Sequence, residues 1–144
     1  MVLIVEDEAI SRRALQHLLR LYGYEARAAG SAEEAMQQVL ANGKRPDMAL
    51  VDINLPGMNG VEFARRLHRL FPAVRCIFMT ASDDAREERL RSASPEPTLR
   101  KPFDVPSLLH MMHDDDDDIA TPRPRTFQQY PQSHYRPHGP ASRH

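Results

Sequence analysis

Three short runs in this sequence are apolar at every position rather than at every second one: Val2-Leu3-Ile4-Val5, Met48-Ala49-Leu50-Val51 and Cys76-Ile77-Phe78-Met79. A strand with one wet face alternates apolar and polar residues. A strand covered on both faces does not, so these runs suit the interior of a parallel sheet flanked by helices. Tyr24–Ala28 and Thr98–Arg100 are two weaker strand candidates.

Between the strands the apolar period lengthens. Ile10, Ala14, Leu18 and Leu21 recur at spacings of three and four, with Arg12, Arg13, Gln16 and Arg20 between them, and predict a first helix. Ser31 and Glu34 form a capping box that opens a second, carrying Ala35, Met36, Val39 and Leu40 and ended by Asn42-Gly43. Phe63, Ala64, Leu67 and Leu70 make a third stripe, closed by Pro72. The charged segment from Asp83 to Arg91 predicts a fourth, less apolar helix, and Val105–Met112 a fifth. Strand and helix alternate five times over about 110 residues, which argues for an open, doubly wound α/β sheet with right-handed crossovers.

The chain of 144 residues suits one domain. Its single cysteine, Cys76, excludes an internal disulfide and hence a disulfide-stapled secreted scaffold. The longest apolar run, Met1–Val5, is far short of the roughly 20 residues that span a bilayer, and no signal peptide precedes it, so a cytoplasmic location is expected. A net charge of −1 gives no ground for direct nucleic-acid or membrane binding. The 20 acids less five tail aspartates, and the 19 bases less four tail arginines, leave fifteen of each before residue 114. From there composition changes: Asp114–Asp118 are five aspartates, and no acid follows them. Five of the twelve prolines, Pro122, Pro124, Pro131, Pro137 and Pro140, fall in the last stretch. The expected organisation is a folded domain over 1–113 and a disordered tail over 114–144.

Ligands of open parallel sheets bind beyond the carboxyl ends of the strands. The first strand delivers Glu6 and Asp7, with Glu8 following; the third delivers Asp52, the fourth Thr80 and the fifth Lys101. Taken singly, each acid reads as a helix cap or a solvated loop residue, and Thr80 as a cap before the fourth helix. Lys101 is one of only two lysines against seventeen arginines, so lysine at this position reads as a specific choice. Together, three mutually repelling carboxylates ask for a cation, and hard oxygen ligands suit Mg²⁺. A metal and a lysine would neutralise a phosphoryl group, with the hydroxyl bonding one of its oxygens. Residue chemistry alone therefore reaches a metal-dependent phosphoryl site.

Val2-Leu3-Ile4-Val5-Glu6-Asp7-Glu8, Leu50-Val51-Asp52-Ile53-Asn54-Leu55-Pro56-Gly57-Met58-Asn59-Gly60, Met79-Thr80-Ala81-Ser82 and Lys101-Pro102-Phe103 resemble, in order and separation, the receiver domain of two-component response regulators. The resemblance covers residues 2 to about 112 and implies a flavodoxin-like five-stranded sheet of order 2-1-3-4-5. It implies Asp52 as phosphoacceptor, modified by a histidine kinase or a histidine phosphotransfer protein. Mg²⁺ would be held by Glu6, Asp7, Asp52 and the main-chain carbonyl of Asn54. Thr80 would swing to the phosphoryl oxygens and Lys101 would pair with them. It further implies a small residue, Ala81, next to Thr80, and a cis bond between Lys101 and Pro102.

One position departs from the family pattern. Where many receivers carry an aromatic residue three positions before the lysine, this chain has Thr98, preceded by Ser94-Pro95-Glu96-Pro97. Thr98 is too small for a rotating ring's role, so phosphorylation is expected to change Ser82–Arg86 more than the fifth strand.

The functional expectation is a single-domain response regulator or phosphorelay intermediate, with a receiver piece of a hybrid histidine kinase as the alternative. An aspartyl-nucleophile phosphatase is disfavoured, since Asn54 stands where such enzymes often carry a general acid and an amide cannot give that proton. Intact Asp52, Thr80 and Lys101 disfavour a pseudo-receiver, and a first turn without glycines disfavours a nucleotide enzyme. His110 and His113, three apart, read as surface residues near a helix end rather than as metal ligands.

Overall fold

The computed structural model describes residues 1–81 and 84–113. The expected tail over 114–144, and Asp83 as the start of the fourth helix, lie outside the described residues. In chain order the elements are β1 (Val2–Val5), α1 (Ala9–Leu21), β2 (Ala26–Ala29), α2 (Ala32–Asn42), β3 (Met48–Asp52), α3 (Gly60–Leu70), β4 (Arg75–Thr80), α4 (Ala85–Ser92), β5 (Thr98–Arg100) and α5 (Val105–Met112). The strands form one parallel sheet of order β2-β1-β3-β4-β5, the doubly wound α/β architecture that the alternating periods predict.

The unbroken apolar runs have a direct structural cause. Leu3, Val5, Ala49, Val51, Cys76 and Phe78 face one core with Ala35 and Val39 of α2 and Phe63 and Leu67 of α3. Their neighbours Val2, Ile4, Met48, Leu50, Ile77 and Met79 face a second core with Leu15 and Leu19 of α1 and Leu108 and Met112 of α5. Each residue of these three runs thus meets a helix whichever way it points, so the runs stay apolar up to the polar residue that closes them.

Helix ends follow the predicted chemistry. The Ser31 hydroxyl accepts the Glu34 N–H at 3.0 Å, while Glu34 reaches back one residue further than a capping box requires, to the Gly30 N–H at 2.8 Å. Gly43 closes α2 at φ +59°, the left-handed region that glycine enters without a Cβ penalty.

Several element boundaries and faces differ from the sequence reading. β2 runs over Ala26–Ala29 instead of Tyr24–Ala28, because the Tyr24 N–H is still taken by the Leu19 carbonyl of α1 at 3.0 Å and pairing with β1 starts at the Glu25 carbonyl, which accepts the Val2 N–H. β3 and β4 extend through Asp52 and Thr80, so both polar residues close a strand instead of following it. α1 forms where expected, but its buried residues are Leu15 and Leu19, whereas Ile10 is 78% and Leu21 61% exposed. The two stripes differ by one helical position, about 100° of rotation, and spacing alone cannot choose between them. α4 begins after Asp84, whose carboxylate accepts the Arg86 N–H, so the cap is Asp84 and not Thr80. No helix of the described residues is long and apolar enough to cross a membrane.

Candidate functional site

Parallel register builds the site. Val5 pairs with Val51, so the next residues, Glu6 and Asp52, emerge side by side from the carboxyl ends of β1 and β3. β4 pairs with β5 through Thr80 and Arg100, and the Lys101 N–H donates to the Thr80 carbonyl at 2.7 Å, carrying the lysine onto the same rim. Carboxylate oxygens of Glu6, Asp7 and Asp52 lie within 4.8 Å of one another, with Glu6 and Asp52 buried and Asp7 exposed.

Lys101 bridges two of the three. Its Nζ donates to Glu6 Oε2 at 2.5 Å and to Asp52 Oδ2 at 2.9 Å. The other oxygens are held by backbone: Asp52 Oδ1 accepts the Asn54 N–H at 2.9 Å, and Glu6 Oε1 accepts the Glu8 N–H at 3.2 Å. Burial pushes the Glu6 carboxyl above the usual range; the Lys101 hydrogen bond opposes that and the neighbouring Asp52 charge adds to it. For Lys101, burial works against the charge, but its bonds to Glu6 and Asp52 outweigh it and raise the ammonium above its ordinary value. The lysine is therefore firmly charged, while Asp7 has no hydrogen-bond or ion-pair partner for its carboxylate among the described residues.

The remaining predicted residues are placed around this cluster. Asn54 is exposed at the start of the loop leaving β3, and Ala81 is exposed beyond Thr80. The Lys101–Pro102 bond is cis, as the resemblance implied. Thr98 opens β5, in register with Phe78. Thr80 is buried at the rim, and its hydroxyl donates to the carboxylate of Glu87 on α4. A groove of about 650 Å³ leads from Glu6 and Lys101 along Ser11, Ala14 and Leu18 of α1 to Phe103. His110 is exposed on α5, and His113 Nε2 lies 2.9 Å from the Tyr24 hydroxyl.

Two participants escape the rule of strand ends because helices supply them. Arg12 of α1 donates through Nη1 to the carbonyls of Glu6 (3.0 Å) and Asp7 (3.2 Å), fixing the turn that presents both acids. Glu87 of α4 is a buried carboxylate on Thr80. For Glu87 a signal existed: the segment has almost no apolar residue to turn inward, so something polar had to face the sheet. For Arg12 there was none.

The family model of the response regulator receiver domain matches residues 2–113. The transcriptional activator protein ExaE of Pseudomonas putida is 40% identical over 81 residues, 55% of this chain but 37% of ExaE. The polar-differentiation response regulator DivK of Brucella anthropi is 32% identical over 113 residues, covering 75% of this chain and 89% of DivK. The crystal structure of the response regulator TrrA of Thermotoga maritima, in complex with Mg²⁺-BeF, superposes with a TM-score of 0.66 at 28% identity, over 77% of this chain and 94% of that one. Sheet order, strand-end chemistry and sequence likeness agree: through residues 2–113, the chain belongs to the response regulator receiver domain family.

Proposed function

We propose that Asp52 accepts a phosphoryl group from a phosphohistidine of a histidine kinase or histidine phosphotransfer protein, and that the domain signals by the change this induces. The observation that carries the reading is the Lys101 ammonium bridging buried Glu6 and Asp52 beside Asp7. In the transfer, an Asp52 carboxylate oxygen forms the new bond to phosphorus as the bond from phosphorus to the imidazole nitrogen breaks. The electron pair leaves with the imidazole. Lys101 is already charged and within a hydrogen bond of the nucleophile, so it neutralises phosphoryl oxygens without reorganisation.

The three carboxylates and one ammonium leave two formal negative charges, and all the available donors are hard oxygens, a set that fits Mg²⁺. Glu6, Asp7, Asp52 and the Asn54 carbonyl would hold the ion, which when bound supplies charge neutralisation for the incoming phosphoryl. Arg12 keeps Glu6 and Asp7 presented by clamping their carbonyls. Thr80 donates to a phosphoryl oxygen once the group is in place. Asn54 carries no acidic proton for a leaving group, which favours a retained phosphoryl over turnover of outside substrates.

A small phosphodonor, or beryllofluoride with Mg²⁺, is expected to modify or bind the wild-type chain but not Asp52→Ala, read by intact-mass and peptide mass spectrometry. A phosphoryl group found on another residue of the wild-type protein would overturn the assignment.

A further inference from the structure

Among the described residues the buried polar or charged side chains are Glu6, Asp52, Thr80 and Glu87. The proposed phosphoryl chemistry uses the first three and leaves Glu87 without a task. Glu87 is 5% exposed and is the only buried residue of α4, with Leu90 half-buried beside it against the core. A helix with so little apolar surface has little packing to hold it. Its buried attachment to the sheet is the Glu87 carboxylate, which accepts the hydroxyl hydrogen of Thr80.

That hydroxyl has one hydrogen to donate. It serves Glu87 or a phosphoryl oxygen on Asp52, and not both at once. We infer that Glu87 is a positioning residue for Thr80, holding its hydroxyl toward α4 until a phosphoryl group takes it. This rests on the proposed role of Asp52 and Thr80 and adds the residue that competes with the phosphoryl. Once Thr80 leaves, a buried carboxylate without a donor is strongly disfavoured, so Glu87 moves to water and loosens α4 with it. Linkage makes the effect reciprocal: whatever weakens the Glu87 bond strengthens binding of the phosphoryl group.

The test compares beryllofluoride affinity in Mg²⁺ for the full chain, Glu87→Gln, Thr80→Val and the double variant, with amide hydrogen exchange over Ala85–Ser92 in each. Glutamine keeps the side chain's shape but lacks the charge that strengthens the bond. Glu87→Gln is expected to bind beryllofluoride roughly three- to tenfold more tightly than wild type, the margin between a charge-assisted and a neutral hydrogen bond. In the Thr80→Val background the same substitution should change nothing, because the competition is gone. Exchange in α4 should quicken on beryllofluoride binding in wild type. In Glu87→Gln it should already be faster and respond less. A merely structural Glu87 would lower the melting temperature without tightening beryllofluoride. Unchanged or weaker binding by Glu87→Gln, or equal tightening in both backgrounds, would overturn the inference while leaving Asp52 as phosphoacceptor intact. Wild type failing to bind beryllofluoride would remove the proposed function and this inference together.

Discussion

Among the described residues, Asp7 is the acid of the cluster whose carboxylate no side chain neutralises. Lys101 bonds Glu6 and Asp52, and Arg12 reaches only the Asp7 carbonyl. Without a cation, removing the Asp7 carboxylate relieves repulsion from two neighbouring acids and breaks no hydrogen bond of that carboxylate. Asp7→Ala is therefore expected to raise the metal-free melting temperature by up to about 4 °C, since an exposed charge contributes under about 1 kcal/mol in a domain this size. The same variant should lose Mg²⁺-dependent phosphorylation. Calorimetry with chelator and labelling with a small phosphodonor check the two halves; a lowered metal-free melting temperature would contradict the crowding of charge. At this scale the strand-end residues were legible in sequence, since a polar residue closing an apolar run has nowhere to go but the rim. Glu87 was legible only as the need for something polar to face the sheet, and Arg12 not at all, because a helical residue's target depends on how the helix is rotated and docked.

At the scale of elements, β3 and α3 approach each other closely at Gly60. A Cβ built on Gly60 would lie 2.2 Å from the Asp52 carbonyl oxygen and 3.0 Å from the Ile53 Cα. Gly60 N–H also donates to the Ile53 carbonyl at 3.0 Å, so the first turn of α3 cannot back away without losing a bond. Gly60→Ala is expected to destabilise the fold by about 3 kcal/mol or more, the upper range for forcing atoms into a packed interior. Urea unfolding measures it, and a loss under about 1 kcal/mol would mean the helix start is softer than its packing indicates. The strands at the sheet centre were readable from their two-faced apolar runs. β2 was readable only weakly and with shifted ends, because Ala26-Arg27-Ala28-Ala29 carries no β-branched residue and borrows its order from β1. The face of α1 was misread for a different reason: its Ile10 and Leu21 are apolar yet exposed, so hydrophobicity alone marks two competing stripes.

For the whole molecule, the question is where the cooperative unit ends. α5 is tied down at its last turn: Arg75 of β4 donates to the Met111 carbonyl at 3.3 Å and the Met112 carbonyl at 2.9 Å. Those bonds satisfy carbonyls that a helix end otherwise leaves open. Met112 itself is buried in the core shared by α1 and α5, and His113 bonds the Tyr24 hydroxyl at 2.9 Å. These contacts tie the chain into the fold through His113, the last residue of the family match, and we propose that the folded domain ends just after it. A chain of residues 1–113 is expected to melt within about 2 °C of the full chain and to keep beryllofluoride binding. Ending the chain at His110 removes a buried methionine and both Arg75 acceptors. Losing that side chain alone costs on the order of 2–5 kcal/mol, so the melting temperature should fall by about 10 °C or more. Thermal unfolding of the three lengths discriminates. If 1–113 falls as far as 1–110, residues beyond 113 contribute to the fold, and the boundary drawn from Arg75 and Met112 is misplaced.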